Sequence, residues 1–126
     1  KKIMKYTVKS QSDIQAVVIE AIGMINTKKA EKMVFSAGFE LKKSKFSRCL
    51  FDLSNTVVDP NQTMTEMFMF IDVFKKADID KSVRLAALYI SGGEHRLHLE
   101  KSATFEGYNL KHFTDKDQAL SWLCRK

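Results

Sequence analysis

Arg48-Cys49-Leu50-Phe51-Asp52-Leu53, closed by the polar pair Ser54-Asn55, is a short apolar run of the kind that a parallel strand covered on both faces produces. Just beyond it, Asp59-Pro60-Asn61-Gln62 has the signature of a helix start. Asp59 suits the cap, Pro60 suits the first helical position, and Gln62 stands where a capping-box partner reaches back. A buried strand running straight into a helix is half of a strand-helix-strand crossover. The rest of the chain repeats that alternation in both directions.

Upstream, Ile3 to Lys9 alternates, with Met4, Tyr6 and Val8 on one face, until Ser10-Gln11-Ser12-Asp13 breaks it as a hairpin loop. Ala16 to Ala21 is a β-branched run that pairs antiparallel with the first strand, and Gly23 is expected to end it. Thr27 reads as the N-cap of a helix whose stripe is Ala30, Met33, Val34, Ala37 and Leu41, with Lys28, Lys29, Lys32 and Lys42 towards solvent. Gly38 within it is expected to weaken the helix by about 1 kcal/mol relative to alanine.

Downstream, the second helix carries a stripe of Met64, Met67, Phe68, Ile71 and Phe74, widened by Met69, Phe70 and Val73. So broad an apolar face exceeds what one sheet covers and predicts self-association or a partner. Val83 to Ile90 is a fourth strand, Ser91-Gly92-Gly93 a loop, and Glu94 to Glu106 a third helix that Gly107 ends in the left-handed conformation. Leu110 to Phe113 is a fifth strand, and Thr114-Asp115-Lys116-Asp117 a capping box opening a last helix with Ala119, Leu120 and Leu123 inward. The expected fold is therefore α/β: a five-stranded, mostly parallel sheet in sequential order, its first strand antiparallel, with four helices in a strand-helix superhelix. The three crossover helices should share one face, leaving the other to be shielded by further contacts.

Residues 1–126 read as one domain, and a chain of 14.5 kDa buries enough surface to fold without disulfide or metal. The longest apolar run is far short of the roughly 18 residues of a membrane span, so no integral membrane segment is expected. The chain begins Lys1-Lys2, so residues, a targeting segment included, can precede position 1. Cys49 and Cys124 form no Cys-x-x-Cys pair and read as reduced thiols of a cytoplasmic protein. A net charge of +6 invites nucleic acid as a partner, yet four of the 21 basic residues are arginine and the lysines are scattered. Base readout leans on arginine forks and aromatic platforms, so a solvated lysine surface is expected and nucleic acid is not.

The ending Phe113-Thr114-Asp115-Lys116-Asp117-Gln118-Ala119-Leu120-Ser121-Trp122-Leu123 resembles the FTD-x-x-x-A-L-x-W-L close of small bacterial STAS-like proteins, relatives of the sporulation anti-sigma-factor antagonist. Thr27 opening the first helix, Leu50-Phe51-Asp52-Leu53 as central strand and Gly107-Tyr108-Asn109 before the last strand follow the same pattern over nearly the whole chain. The resemblance implies a regulatory or partner-binding module without catalysis. In the phosphorylation-switched members an Asp-Ser-Ser-Gly motif opens the second helix. Here that place reads Asp59-Pro60-Asn61-Gln62-Thr63, leaving Thr63 and Thr65 as the hydroxyls nearest a phosphoswitch.

No catalytic set is visible. His95 and His98 stand three apart on the third helix without an evident third ligand, so no metal is expected. Gly92-Gly93 is a fragment of a phosphate cradle without its lysine, no Gly-x-Ser-x-Gly elbow occurs, and no cofactor is implied. Asp52 is read as a structural carboxylate bonding the following loop, and Trp122 as core. The expected binding site is the carboxyl ends of the parallel strands: Ser54, Asn55, Thr56 and Asp59 after strand three, then Asn61, Thr63, Met64, Met67 and Phe68 of the second helix, and Ser91, Gly92, Gly93 and Glu94 after strand four. A protein partner or second copy is the first reading. A small apolar or lipid-like ligand held against the same helix is the alternative.

Overall fold

A computed structural model describes residues 4–58, 71–89 and 94–125. Its strands are β1 (Lys5–Gln11), β2 (Ala16–Ile25), β3 (Arg48–Val58), β4 (Arg84–Leu88) and β5 (Asn109–Phe113). The helices are α1 (Thr27–Ser44), α2 (Ile71–Lys76), α3 (Glu94–Phe105) and α4 (Lys116–Leu123). The strands lie in the order β1-β2-β3-β4-β5. β1 pairs antiparallel with β2 and every later pair is parallel, as the alternation of elements requires. The predicted element order and strand order are both present.

The strands carry apolar side chains on both faces, and two separate clusters cover them. On one face α1, α2 and α3 pack against Val17, Ile19, Phe51, Leu85 and Leu110. On the other, Val18, Leu50, Ala86 and Leu88 meet Ala119 and Leu123 of α4. The shield expected for the second face is thus the last helix, which has no further strand to feed and folds back across the sheet. Arg84 at the start of β4 anchors it. The guanidinium Nη1 donates to the carbonyls of Trp122, at 3.1 Å, and of Arg125, and the guanidinium Cζ lies 5.9 Å from the centre of the Trp122 ring. A cation there also complements the negative end of the helix.

Helix α1 buries the stripe that its spacing predicts, Ala30, Met33, Val34, Ala37 and Leu41. Its cap differs from the expected Thr27. Asn26, extended at φ −132°, is the N-cap, and its Oδ1 accepts from the Lys29 N–H at 2.9 Å. Thr27 is already helical, and its Oγ1 is buried without a partner among the described residues. A longer amide one residue upstream reaches the orphan N–H that a hydroxyl on the helix itself does not. Asn26→Ala is accordingly expected to cost about 1 kcal/mol in urea unfolding, as loss of a cap does, whereas Thr27→Val should be neutral or stabilising because it removes an unpaired hydroxyl. At α4 the expected capping box is also incomplete: Asp115 is the N-cap residue but its side chain bonds no cap N–H. Gly107 does end α3 as expected, at φ +91°.

Three strands run on past their predicted ends, β1 through Ser10 and Gln11, which were expected in the hairpin loop and instead pair with Val17 and Ala16. β2 continues through Gly23, which at φ +103° adopts a conformation that other residues rarely take and still pairs with Thr56. β3 continues through Ser54 and Asn55 to Val58. Polar side chains do not stop a strand whose neighbour supplies the hydrogen bonds, and β2 supplies them here.

Candidate partner-binding site

The described part of the expected site is therefore a strand end and not a loop. Between the pairs Glu20↔Asp52 and Ile22↔Asn55 the register shifts, with β3 using one residue more than β2. This is a β-bulge at Leu53-Ser54. Local hydrogen bonds hold it. Asp52 Oδ1 accepts from the Ser54 backbone N–H at 3.2 Å and from Ser54 Oγ at 2.6 Å, and Thr56 Oγ1 donates to the Leu53 carbonyl at 2.7 Å. Asp52 thus has the structural role read for it.

A one-residue insertion reverses which face each later side chain takes. Phe51 and Leu53 point into the core, and uninterrupted alternation would send Asn55 and Val57 after them. Instead Asn55 is exposed and Val57 is 63% exposed, beside Ile22 of β2 at 54%. β4 reaches only as far as Leu88, opposite Asp52. Among the described residues the last turn of sheet is a two-stranded ribbon of β2 and β3. Ser54 and Thr56 are half-buried in it, holding shape, while Ile22, Asn55 and Val57 are the side chains it presents. Val57 lies within the segment after strand three expected to make the contact, though not named there, and Ile22 lies just past the run Ala16 to Ala21 read as strand, so neither was singled out.

Asp59, Asn61, Thr63, Met64, Thr65, Met67, Phe68, Ser91, Gly92 and Gly93 lie outside the described residues, and Glu94 enters only as the first residue of α3. Of the broad apolar helix, Val73 and Phe74 are described and both are buried, Phe74 edge-on to Tyr108 at 5.6 Å.

Behind the ribbon, between α1 and the sheet, lies a small apolar cavity of about 50 Å³ lined by Met33, Phe51, Leu53, Phe74, Tyr89 and Leu110 among others. At its side, His112 of β5 is almost fully buried. Its Nδ1 lies 3.0 Å from Glu100 Oε2 of α3, and its ring stacks on Tyr89 at 5.4 Å. His112 was passed over in favour of His95 and His98, although its alternation with Leu110 marks it as inward-facing. The histidine and carboxylate tie α3 to β5. Among the described residues no three potential metal ligands cluster. Cys49 is fully buried, and that burial pushes its thiol well above the usual range, so it is no nucleophile.

No protein-family model matches the chain, and no curated protein does. Solved structures do. An uncharacterised protein of the DUF3478 family from Shewanella loihica, described as having a SpoIIAA-like fold, is 19% identical with a TM-score of 0.58, over 96% of this chain and 93% of that one. An anti-sigma factor antagonist from Mycobacterium paratuberculosis is 14% identical with a TM-score of 0.59, over 96% and 94%. The anti-sigma factor antagonist SpoIIAA in its unphosphorylated form is 10% identical with a TM-score of 0.52, over 97% and 100%. Identities this low speak for architecture alone, and coverage this complete leaves no strand or helix order unaccounted for: the chain has the SpoIIAA-like fold of these proteins.

Proposed function

We propose that the chain is a non-catalytic regulatory module of STAS-like type, acting in the cytoplasm, which binds a protein partner or a second copy of itself through the end of β3 and the helix that follows. The observation carrying this is the bulge that turns Val57 out beside Ile22 on a ribbon that, among the described residues, runs past the end of β4. Two neighbouring apolar side chains, each more than half exposed on a hydrogen-bonded strand end, offer a partner an apolar contact. That two proteins sharing the fold are anti-sigma factor antagonists supports the same reading. Ile22→Asp with Val57→Asp should leave the melting temperature nearly unchanged, since neither side chain is core. It should reduce the recovery of the co-purifying partner, or the dimer fraction in sedimentation, about ten-fold, as loss of central apolar contacts does. Unchanged recovery and unchanged sedimentation would refute the site.

The cavity beneath α1 favours a second reading, a carrier of a small apolar ligand. At about 50 Å³ the cavity is well below the roughly 300 Å³ at which ligand pockets begin, which favours the partner reading over the carrier. Native mass spectrometry showing a retained small mass on protein from its own cells would reverse that order.

A further inference from the structure

Helix α1 turns its apolar stripe to the sheet, and its outer side should then be polar throughout. It is not. Phe35 is 42% exposed and Phe39 70% exposed. Four residues apart, they stand one turn from each other on the same line of the helix. Lys28, Lys32 and Lys43, all exposed, continue that line above and below them over about 22 Å of helix, with one half-buried acid, Glu31, a turn before Phe35. None of these three lysines is in a salt bridge among the described residues, whereas neighbouring Lys42 is held by Asp78 at 2.7 Å. The first turn has no acid. Of the two carboxylates on the helix, Glu40 is turned to the flank, where it accepts from Ser10 Oγ of β1.

We propose that this outer face of α1 docks the protein on an anionic lipid surface, with Phe35 and Phe39 entering the interface and Lys28, Lys32 and Lys43 lying against the headgroups. The pattern distinguishes lipid from protein. Protein interfaces are depleted of lysine at their centre and draw on Trp, Tyr and Arg. Here the fully exposed charges along the line of the phenylalanines are all lysines, whereas the two acids of the helix, Glu31 and Glu40, are half-buried. An amphipathic helix lying in a membrane plane has these features: apolar rings between long basic side chains that bend to the phosphates. Each lysine held at such a surface strengthens binding about five-fold. The proposal does not depend on the partner site at the ribbon, which uses other residues.

The test is co-sedimentation of the whole chain with vesicles of phosphatidylglycerol mixed with phosphatidylcholine, and with phosphatidylcholine alone. Binding is expected only to the anionic vesicles, falling as salt rises. Lys28→Glu with Lys32→Glu should weaken it at least ten-fold, as should Phe35→Ser with Phe39→Ser. The melting temperature, measured on each variant, should be unchanged because these side chains are exposed. Equal binding to both vesicle types, no binding at low salt, or wild-type binding by the folded phenylalanine variant would each overturn the proposal. Salt-sensitive binding to polyglutamate without vesicle binding would also overturn it, in favour of an acidic protein partner.

Discussion

Leu123→Ala is expected to destabilise the protein by about 3 kcal/mol, the middle of the range for deleting a fully buried leucine side chain, and to lower its Tm by about 10 °C. Leu123 is completely buried, and of α4 it shares that state with Ala119 alone. Eight residues is too short for a helix to persist by itself, so α4 holds its shape through docking. With the anchor gone, Val18, Leu50, Ala86 and Leu88 lose the cover of their face. The cost then includes water reaching the sheet as well as a cavity. Urea unfolding gives the magnitude, and increased binding of an apolar dye by the folded variant would show that the face has opened. Leu120→Ala, at a partly buried position in the same helix, should cost clearly less. A loss below 1 kcal/mol for Leu123→Ala would mean that α4 does not carry this side of the core.

Gly38→Val is expected to cost about 3 kcal/mol, at the upper end of ordinary overpacking, and even Gly38→Ala should destabilise. Helix propensity alone argues the opposite sign, because alanine is favoured over glycine by about 1 kcal/mol in a helix interior. Contact with the turn after α2 decides it. A Cβ at position 38 would lie 2.7 Å from the Ala77 carbonyl oxygen and 3.3 Å from Ala77 Cβ. The obstacle is backbone, fixed by the Ala77 N–H bond to the Val73 carbonyl at 2.8 Å, so it cannot swing aside as a side-chain tip would. Urea unfolding of the two variants tests this, with a stabilised Gly38→Ala being the result that would show α1 and the turn to be free to separate.

The residues read correctly from sequence are those whose signal is local or periodic. The stripe of α1, the alternation of Tyr6 and Val8 in β1, the left-handed Gly107 and the order of strands and helices all follow from spacing within one element. Errors gathered where a neighbour decides. Gly23 looks like a strand end until β3 gives it a partner, and Ser54-Asn55 looks like a loop until β2 does. Gly38 looks like a flaw in a helix until the Ala77 carbonyl is placed against it. Thr27 looks like a cap until Asn26 is seen reaching the same N–H.

For the candidate site the division is sharper. That ligands or partners meet this fold at the carboxyl ends of its strands is implied by the alternation of strands and helices alone. Which side chains face outwards there is not, because one extra residue in β3 inverts the parity of everything after Leu53, and a bulge is a property of a strand pair. Val57 and Ile22 are core residues by type and surface residues by register. From the sequence by itself came the composition of each element, its buried periodicity and the order in which the elements alternate, since those depend on the residue spacing of a single helix or strand. The tertiary structure alone decided the bulge, the helix that closes the second face and the exposure of Phe35 and Phe39, since each depends on where a distant part of the chain comes to rest.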